Sequence, residues 1–279
     1  MQPVVALIYD FDGTLSPGNM QEYGLIQSLG MDVPEFWRIP NRMAYEQDAN
    51  SILCYMKSLI DLCKQKDVKL TKETFRQYGE QVELYKGVRE WFSMINEYGS
   101  LKGVRIEHYI NSSGLKEMIE GTPIANEFEN IYACSFMYDE EGNAIWPAVS
   151  VDFTTKTQFL FKINKGIKSV SDNVEVNRST PEEERPIPFR RMIYFGDGET
   201  DVPCMKLVKA QGGYSIAVYR PQSHKQAVAK KLIADDRVNF ACPADYSDGS
   251  EVHSVVKTII DKMRSDFDFE QLQRTHRYL

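Results

Sequence analysis

The sequence has few of the residues that build disulfide frameworks or zinc sites. It contains five cysteines, no two of which form a Cys-x-x-Cys pair, and an odd number cannot pair completely. The four histidines are scattered and lack the spacing of zinc ligands. We therefore expect reduced thiols in the core, a cytoplasmic location and no zinc site.

The sequence also lacks long apolar runs and long basic runs. The amino-terminal apolar stretch, VVALIY, ends at Asp10 and is too short for a signal peptide or a membrane span. The formal net charge is −7, which argues against nucleic acid or an anionic membrane as a partner. Any site that binds an anion must therefore draw on a local group of basic residues. We expect a monomer or homodimer without membrane contact.

Predicted strands and helices alternate along most of the chain. An unbroken apolar run predicts a buried strand at 4–9, and another buried strand is predicted at 190–198. Further strands are predicted at 104–111, 214–219 and 238–244. Helical spacing of apolar residues predicts helices at 87–99, 115–122, 156–167 and 247–263. Residues 130–153 predict two strands around a turn at Glu141-Gly142-Asn143. The pattern predicts an α/β fold, a Rossmann-like and mostly parallel sheet with helices on both faces.

One long segment departs from this alternation. Residues 17–85 have helical spacing throughout, as in SILCYMKSLIDLCKQ, and contain no strand-like run. We interpret 17–85 as a small helical cap domain inserted after the first strand. Residues 1–16 and 86–279 would then form the α/β core domain.

The first predicted strand ends in two carboxylates. In VVALIYDFDGTLS, Asp10 and Asp12 are two positions apart, so on an extended chain they share a face and repel. A metal between them would relieve that repulsion. Ser112 and Asp197 also stand at the carboxyl ends of predicted strands, where ligands bind in sheets of this kind. These positions are therefore expected to converge on one edge of the sheet.

Four segments together resemble the motifs of the haloacid dehalogenase superfamily. They occur in this order: DFDGTL at 10–15, Ser112 within YINSSG, Lys156 at a predicted helix start, and GDGETD at 196–201. The resemblance covers the whole chain, and the insert resembles the C1-type cap of phosphoserine phosphatase-like members. It implies a Mg²⁺-dependent phosphatase that hydrolyses a small phosphorylated metabolite through an aspartyl-phosphate intermediate.

Hydrolysis of a phosphate ester needs a nucleophile and a proton donor. Asp10 is the candidate nucleophile, and attack by its carboxylate would give the aspartyl-phosphate. Asp12 is the candidate acid and base, which would protonate the leaving oxygen and later take a proton from water.

The phosphate itself needs hydrogen-bond donors. Ser112 offers a hydroxyl, while Ser113 and Gly114 offer backbone N–H groups at a predicted helix start, where phosphate binds well. The alternative role for Ser112 is to cap that helix.

A lysine side chain is expected to neutralise the negative charge of the phosphoryl oxygens at this edge of the sheet. Lys156 is the candidate for contact with the phosphoryl oxygens, because it opens a predicted helix at the carboxyl edge of the sheet. Lys162 and Lys165 are rival candidates on the same helix.

Carboxylates are the candidate metal ligands, because Mg²⁺ prefers hard oxygen ligands. By resemblance, Asp10 and Asp197 bind the metal directly and Asp12 binds through its backbone carbonyl. Asp201 binds the metal or supports the residues that do.

Two alternatives to a phosphatase remain open. One is a signalling or binding protein that accepts a phosphoryl group without turnover, and the other is a hydrolase of this superfamily acting on a substrate other than a phosphomonoester.

The sequence does not identify the substrate. Asn19 stands where phosphoserine phosphatases place a glutamate, Glu22 follows three residues later, and Arg38 and Arg42 lie in the cap region. The aromatic residues Phe36, Trp37 and Tyr45 are predicted to pack in the core, with a pocket lining as the alternative.

Overall fold

The computed structural model describes residues 2–276, and for Glu199 its backbone alone. Met1 and residues 277–279, which the sequence assigns to the core domain, lie outside the described residues. One seven-stranded sheet organises the chain. Its strands are β1 (Val4–Tyr9), β2 (Arg105–Leu115), β3 (Asn130–Tyr138), β4 (Ala144–Val149), β5 (Met192–Gly196), β6 (Tyr214–Tyr219) and β7 (Phe240–Pro243).

The sheet is α/β and Rossmann-like, as the sequence predicts. Its strand order is β4-β3-β2-β1-β5-β6-β7, and every neighbouring pair is parallel except β3 with β4. The first strand is therefore central, with β2 on one side and β5 on the other. Tyr9, the last residue of β1, is level with Ile110 of β2 and Phe195 of β5. The carboxyl ends of these three strands consequently meet at one edge.

Helices cover both faces of the sheet. They are α1 (Leu25–Ser28), α2 (Val33–Glu46), α3 (Ser51–Gln65), α4 (Lys72–Gly79), α5 (Val88–Leu101), α6 (Lys116–Ile119), α7 (Lys156–Lys165), α8 (Val174–Asn177), α9 (Val202–Ala210), α10 (His224–Ala234) and α11 (Glu251–His276). On one face, Trp91 of α5 donates to the Tyr9 hydroxyl at 2.8 Å. On the other, Asn111 of β2 contacts Lys156 of α7 and Cys204 of α9. The sheet is thus buried between two helical layers, which explains the unbroken apolar sequences of β1 and β5.

The segment between β1 and α5 is helical, as predicted. Its longer helices begin at residues that cap their first turn: Asp32 for α2, Asn50 for α3 and Thr71 for α4. The segment packs closely on the sheet domain, because a Cβ on Gly79 of α4 would lie 2.0 Å from the backbone oxygen of Met118 in α6. The insert and the sheet domain share one continuous hydrophobic core.

Several elements differ from the sequence predictions. Strand β2 continues to Leu115, so α6 is only four residues long and Ser112 does not end the strand. Helix α10 was not predicted, because its apolar spacing is weak. Helix α11 runs to His276, thirteen residues beyond the predicted end at 263, because its polar second half continues the helix past the core.

Within residues 2–276, every helix is too short or too polar to span a bilayer.

Candidate active site

The carboxyl edge of the central strands brings three acidic side chains together. Asp10 follows β1, and Asp197 follows β5 and is separated from Asp201 by one tight turn. One carboxylate oxygen from each of these three residues lies within 4.8 Å of the others. Gly13 allows the Asp197 side chain to approach the loop after β1. Its φ is +76°, and a Cβ there would lie 2.1 Å from Asp197 Oδ2.

A fully buried lysine links two of these acids. Lys156 opens α7, and its exposed fraction is 0%. Its Nζ donates to Asp10 Oδ1 at 3.0 Å and to Asp201 Oδ1 at 2.6 Å. Asp201 also accepts from the Tyr194 hydroxyl at 2.9 Å and from the backbone N–H of Asp197 at 3.3 Å. Asp201 is therefore held from several sides and fixes both the lysine and the loop that carries Asp197.

The electrostatics of the site show an excess of buried negative charge. Burial, with the neighbouring charge of Asp201, raises the pKa of Asp10 to about 7 against the opposing effect of Lys156. Burial also raises the pKa of Asp197, although Lys225 opposes that shift. For Lys156, burial alone would lower the pKa, but Asp10 and Asp201 outweigh it and the pKa rises. Lys156 therefore stays charged, and its single charge does not balance the acids around it.

The side chain of Asp12 is set apart from this acidic cluster. Its Oδ1 accepts from the backbone N–H of Met20 at 3.0 Å, which orients the carboxyl group. Its Oδ2 lies toward Gly114, since a Cβ on that glycine would be 3.3 Å from it. Burial, and next the charge of Asp10, raise the pKa of Asp12 well above its ordinary value. A carboxyl group held in this way is suited to carry a proton near neutral pH.

Residues 112–114 have a local structure that differs from the prediction. They belong to β2, and the pairing of β2 with β3 shifts register between Ser112 and Leu115. A bulge stands in place of the predicted helix start, and within it the backbone N–H of Gly114 donates to Ser112 Oγ at 3.1 Å. The Ser113 hydroxyl is buried and has no hydrogen-bond partner among the described residues. The three residues still line the cavity above the acidic cluster.

A cavity of about 550 Å³ joins these groups to the helical insert. From the sheet domain it is lined by Asp10, Asp12, Gly13, Ser112, Ser113, Gly114, Asp197, Thr200 and Lys225. From the insert it is lined by Pro17, Gly18, Asn19, Gln21, Glu22, Trp37, Ile52 and Tyr55. The Tyr55 hydroxyl donates to the backbone oxygen of Ser113 at 3.0 Å and joins the two walls. The predicted site residues therefore share one cavity, with Lys156 and Asp201 directly behind it.

The aromatic and arginine candidates of the insert separate in the structure. Phe36 is in the core, as predicted, while Trp37 lines the cavity and Tyr45 is 90% exposed. Arg38 and Arg42 are exposed and do not line the cavity. The two rival lysines of α7 point elsewhere: Lys162 and Lys165 donate to backbone oxygens of the segment 169–178.

Sequence reasoning missed two residues of the site. Lys225 of α10 forms an ion pair with Asp197 at 2.9 Å, and Tyr194 of β5 supports Asp201 from the buried face. The only signal for Tyr194 was a polar group in an otherwise apolar strand next to the GDGETD motif. Nothing in the sequence around Lys225 distinguishes it from other surface lysines.

The acidic cluster fits a divalent cation. Three carboxylates offer hard oxygen donors within reach of one ion, as Mg²⁺ requires. The raised pKa values of Asp10 and Asp197 show that added positive charge would stabilise their ionised forms. Asp12 is absent from this cluster of side chains, which is compatible with the expectation that it contributes through its backbone.

Comparison with known proteins decides the family. The family model of haloacid dehalogenase-like hydrolases matches residues 7–206. The chain belongs to the haloacid dehalogenase-like hydrolase family. An uncharacterized protein of Borreliella burgdorferi is 28% identical to it over an alignment of 278 residues. The match covers 90% of this chain and 94% of that protein.

Solved structures of haloacid dehalogenase-like hydrolases share the fold. A substrate-bound phosphoserine phosphatase has a TM-score of 0.54 at 12% identity, and the match covers 92% of this chain and 99% of that one. A probable phosphoserine phosphatase from Vibrio cholerae has a TM-score of 0.56 at 12% identity, covering 95% of this chain and 67% of that one. A family hydrolase from Salmonella enterica has a TM-score of 0.53 at 15% identity, covering 92% and 72%. At these identities the likeness shows the fold.

Proposed function

We propose that this hydrolase is a Mg²⁺-dependent phosphatase that cleaves small phosphomonoesters through an aspartyl-phosphate on Asp10. The observation that carries the proposal is the contact between Asp10 and the buried Lys156 at the floor of a cavity that Asp12 also lines. A carboxylate nucleophile, a protonated carboxyl and a permanent cation are thereby brought to one place. These are the groups that phosphoryl transfer to a carboxylate requires.

The first step is attack of an Asp10 carboxylate oxygen on phosphorus. A bond forms between that oxygen and phosphorus, and the bond from phosphorus to the ester oxygen breaks. Asp12 gives its proton to the departing oxygen, so the alcohol leaves uncharged. The raised pKa of Asp12 favours the protonated form that this task needs.

The second step returns the enzyme to its starting state. Asp12, now ionised, takes a proton from water as the water oxygen attacks phosphorus. The bond between phosphorus and Asp10 breaks, and inorganic phosphate leaves the cavity. The hydrogen bond from the Met20 N–H holds Asp12 in place through both steps.

Residues around the cavity would stabilise the negative charge on the transferred phosphoryl group. Lys156 orients Asp10 and stabilises negative charge on the phosphoryl oxygens. The hydroxyl groups of Ser112 and Ser113 bind the same oxygens from the β2 side, and the Gly114 N–H holds the Ser112 hydroxyl in place. Asp10, Asp197, Asp201 and the Asp12 backbone carbonyl would hold Mg²⁺, which supplies further positive charge to the phosphate when bound.

The helical insert would control access to this site. We propose that residues 17–85 act as a cap over the core formed by 1–16 and 86–279, since eight insert residues line the cavity. Closure would exclude water during transfer to Asp10. Replacing the insert by another cap should change substrate preference and retain turnover of very small phosphate esters.

The direct test is hydrolysis of p-nitrophenyl phosphate by the purified protein with Mg²⁺. We expect phosphate release that stops in EDTA and returns with added Mg²⁺. Parallel assays of Asp10→Asn and of the exposed carboxylate variant Asp32→Asn separate the site from the rest of the surface. Absence of turnover in the wild type would favour a protein that accepts a phosphoryl group without hydrolysis, or one acting on another substrate class.

A further inference from the structure

We propose that the leaving group of the substrate is a short amino alcohol that carries an ammonium group and no carboxylate. This inference rests on the proposed phosphatase function and specifies its substrate class. It comes from the insert side of the cavity, which the hydrolytic steps do not use.

Glu22 provides a fixed anionic group at that end of the cavity. Its Oε1 accepts from Asn19 Nδ2 at 2.7 Å and from Trp37 Nε1 at 3.1 Å. Both bonds engage the same oxygen, so neither occupies Oε2. The carboxylate is thus held in position with one oxygen available to a donor on a ligand. An ammonium group is the donor that gains most from such a contact.

Two aromatic rings flank the same space. The ring centroids of Trp37 and Tyr55 are 5.8 Å apart, and their planes are inclined by 67°. Both residues line the cavity, and the Trp37 ring is tethered by its bond to Glu22. Electron-rich ring faces beside a carboxylate attract an organic cation within about 6 Å of a ring centroid.

A further hydrogen-bond acceptor comes from Gln21, the residue before Glu22. Gln21 lines the cavity and is only 2% exposed, and its Oε1 has no hydrogen-bond partner among the described residues. An unpaired buried acceptor is costly until a donor reaches it. A ligand rich in N–H groups would satisfy it, whereas a carboxylate would add a further acceptor.

The charges around the cavity exclude a carboxylate on the leaving group. Among the described residues that line it, the acidic side chains are Asp10, Asp12, Asp197 and Glu22, and Lys225 is the basic one. Lys225 is already paired with Asp197. The nearby arginines of α2 are exposed and outside the cavity. A carboxylate near Glu22 would therefore meet like charge without a counter-charge.

The turn that carries Glu22 also holds Asp12. The turn Met20–Glu22 donates to Asp12 through its first residue and carries Glu22 as its last. Asp12 would protonate the ester oxygen, so a short leaving group is the kind that would carry its ammonium group from that oxygen to Glu22. Ethanolamine is such a group, and its ammonium supplies N–H donors.

The test compares substrates of matched size that differ in charge. We would measure kcat/KM of the Mg²⁺-loaded wild type for phosphoethanolamine and for n-propyl phosphate, its neutral counterpart of similar size. Phosphoserine and p-nitrophenyl phosphate complete the series. Because the ammonium group can donate to Glu22 and is attracted by the aromatic rings, we expect phosphoethanolamine to be favoured over n-propyl phosphate by about tenfold or more. Phosphoserine should be hydrolysed less efficiently than phosphoethanolamine.

Variants connect the preference to Glu22. Glu22→Gln keeps an acceptor for Trp37 but removes the charge, and it should bring the ammonium-to-neutral ratio close to 1. Glu35→Gln removes an exposed carboxylate of the same insert and should keep the wild-type ratio. A ratio near 1 in the wild type, or a ratio unchanged by Glu22→Gln, would overturn this inference while p-nitrophenyl phosphate turnover upholds the phosphatase. Loss of turnover on every substrate would overturn the phosphatase proposal and this inference with it.

Discussion

The ammonium nitrogen of Lys156 lies 3.0 Å from Asp10 Oδ1, and the lysine side chain is completely buried. A charge in that position has no water to stabilise it, so it depends on Asp10 and on its other partner, Asp201. The converse also holds, because Asp10 depends on Lys156 to remain ionised. This mutual dependence makes the pair a sensitive place to test the proposed mechanism.

Replacing Lys156 should lower kcat even in the fraction of protein that remains folded. In Lys156→Met, the cation beside Asp10 is lost, and we expect kcat for p-nitrophenyl phosphate to fall by about 10²-fold or more. The matched control is Lys162→Met, which removes another buried lysine of α7 whose partners are backbone oxygens outside the cavity. Thermal unfolding of both variants separates stability from catalysis. Equal losses of kcat in the two variants would contradict the role of Lys156.

The two aspartates of the first motif should behave differently in single-turnover experiments. Asp10→Asn removes the nucleophile and should form no phosphoenzyme. Asp12→Asn should release p-nitrophenol in a burst approaching one equivalent, because that leaving group needs little proton donation. The second step still needs the base, and its loss costs about 10²–10⁴-fold. Rapid acid quench and mass spectrometry locate the phosphate, and its presence on a residue other than Asp10 would refute the mechanism.

Metal binding should be measurable as a change in stability without any assay of activity. Mg²⁺ binds the native site, so at about 100 times its dissociation constant it should stabilise the fold by about 2.7 kcal/mol. We expect thermal unfolding of the EDTA-treated wild type to shift upward on addition of Mg²⁺. The shift should disappear in Asp197→Asn and persist in Asp32→Asn, which keeps a cap for α2. A shift retained in Asp197→Asn would place the ion elsewhere.

His108 should make the fold sensitive to acid. Its Nδ1 bonds the Tyr9 hydroxyl and its Nε2 bonds Asn96, each at 3.0 Å, and burial lowers its pKa from 6.5 to about 3. Between those values the unfolded chain binds a proton that the folded chain excludes. The free energy of unfolding therefore falls as the pH drops below 6.5, by at most about 1.4 kcal/mol per pH unit from this residue.

Comparison with His108→Gln isolates that contribution. In urea titrations, the difference in unfolding free energy between wild type and variant should stay constant above pH 7 and shift against the wild type from pH 6.5 to pH 4.5. Parallel curves across the whole range would show that another group controls the acid sensitivity.

Much of the fold follows from local patterns, while part of the site does not. The apolar run before Asp10 and the GDGETD segment mark the central strands, because burial on both faces demands continuous apolar residues. The course of β2 through Ser112 was mispredicted, since Ser and Gly signal a helix start as readily as a bulge. Lys225 was missed because its pairing with Asp197 depends on the packing of α10, which leaves no local pattern.

The separation along the chain between Asp10 and Lys156 has a consequence for how the protein is made. Their contact joins residues 146 positions apart, and Lys156 in turn contacts Asp201, another 45 positions onward. A chain still emerging from the ribosome therefore cannot form this contact until more than half of it has been synthesised. Closing such long loops costs entropy before any contact repays it, so the cluster forms together with the strands that carry it. Affinity for Mg²⁺ should accordingly report completed folding, and fragments that end before β5 should lack it.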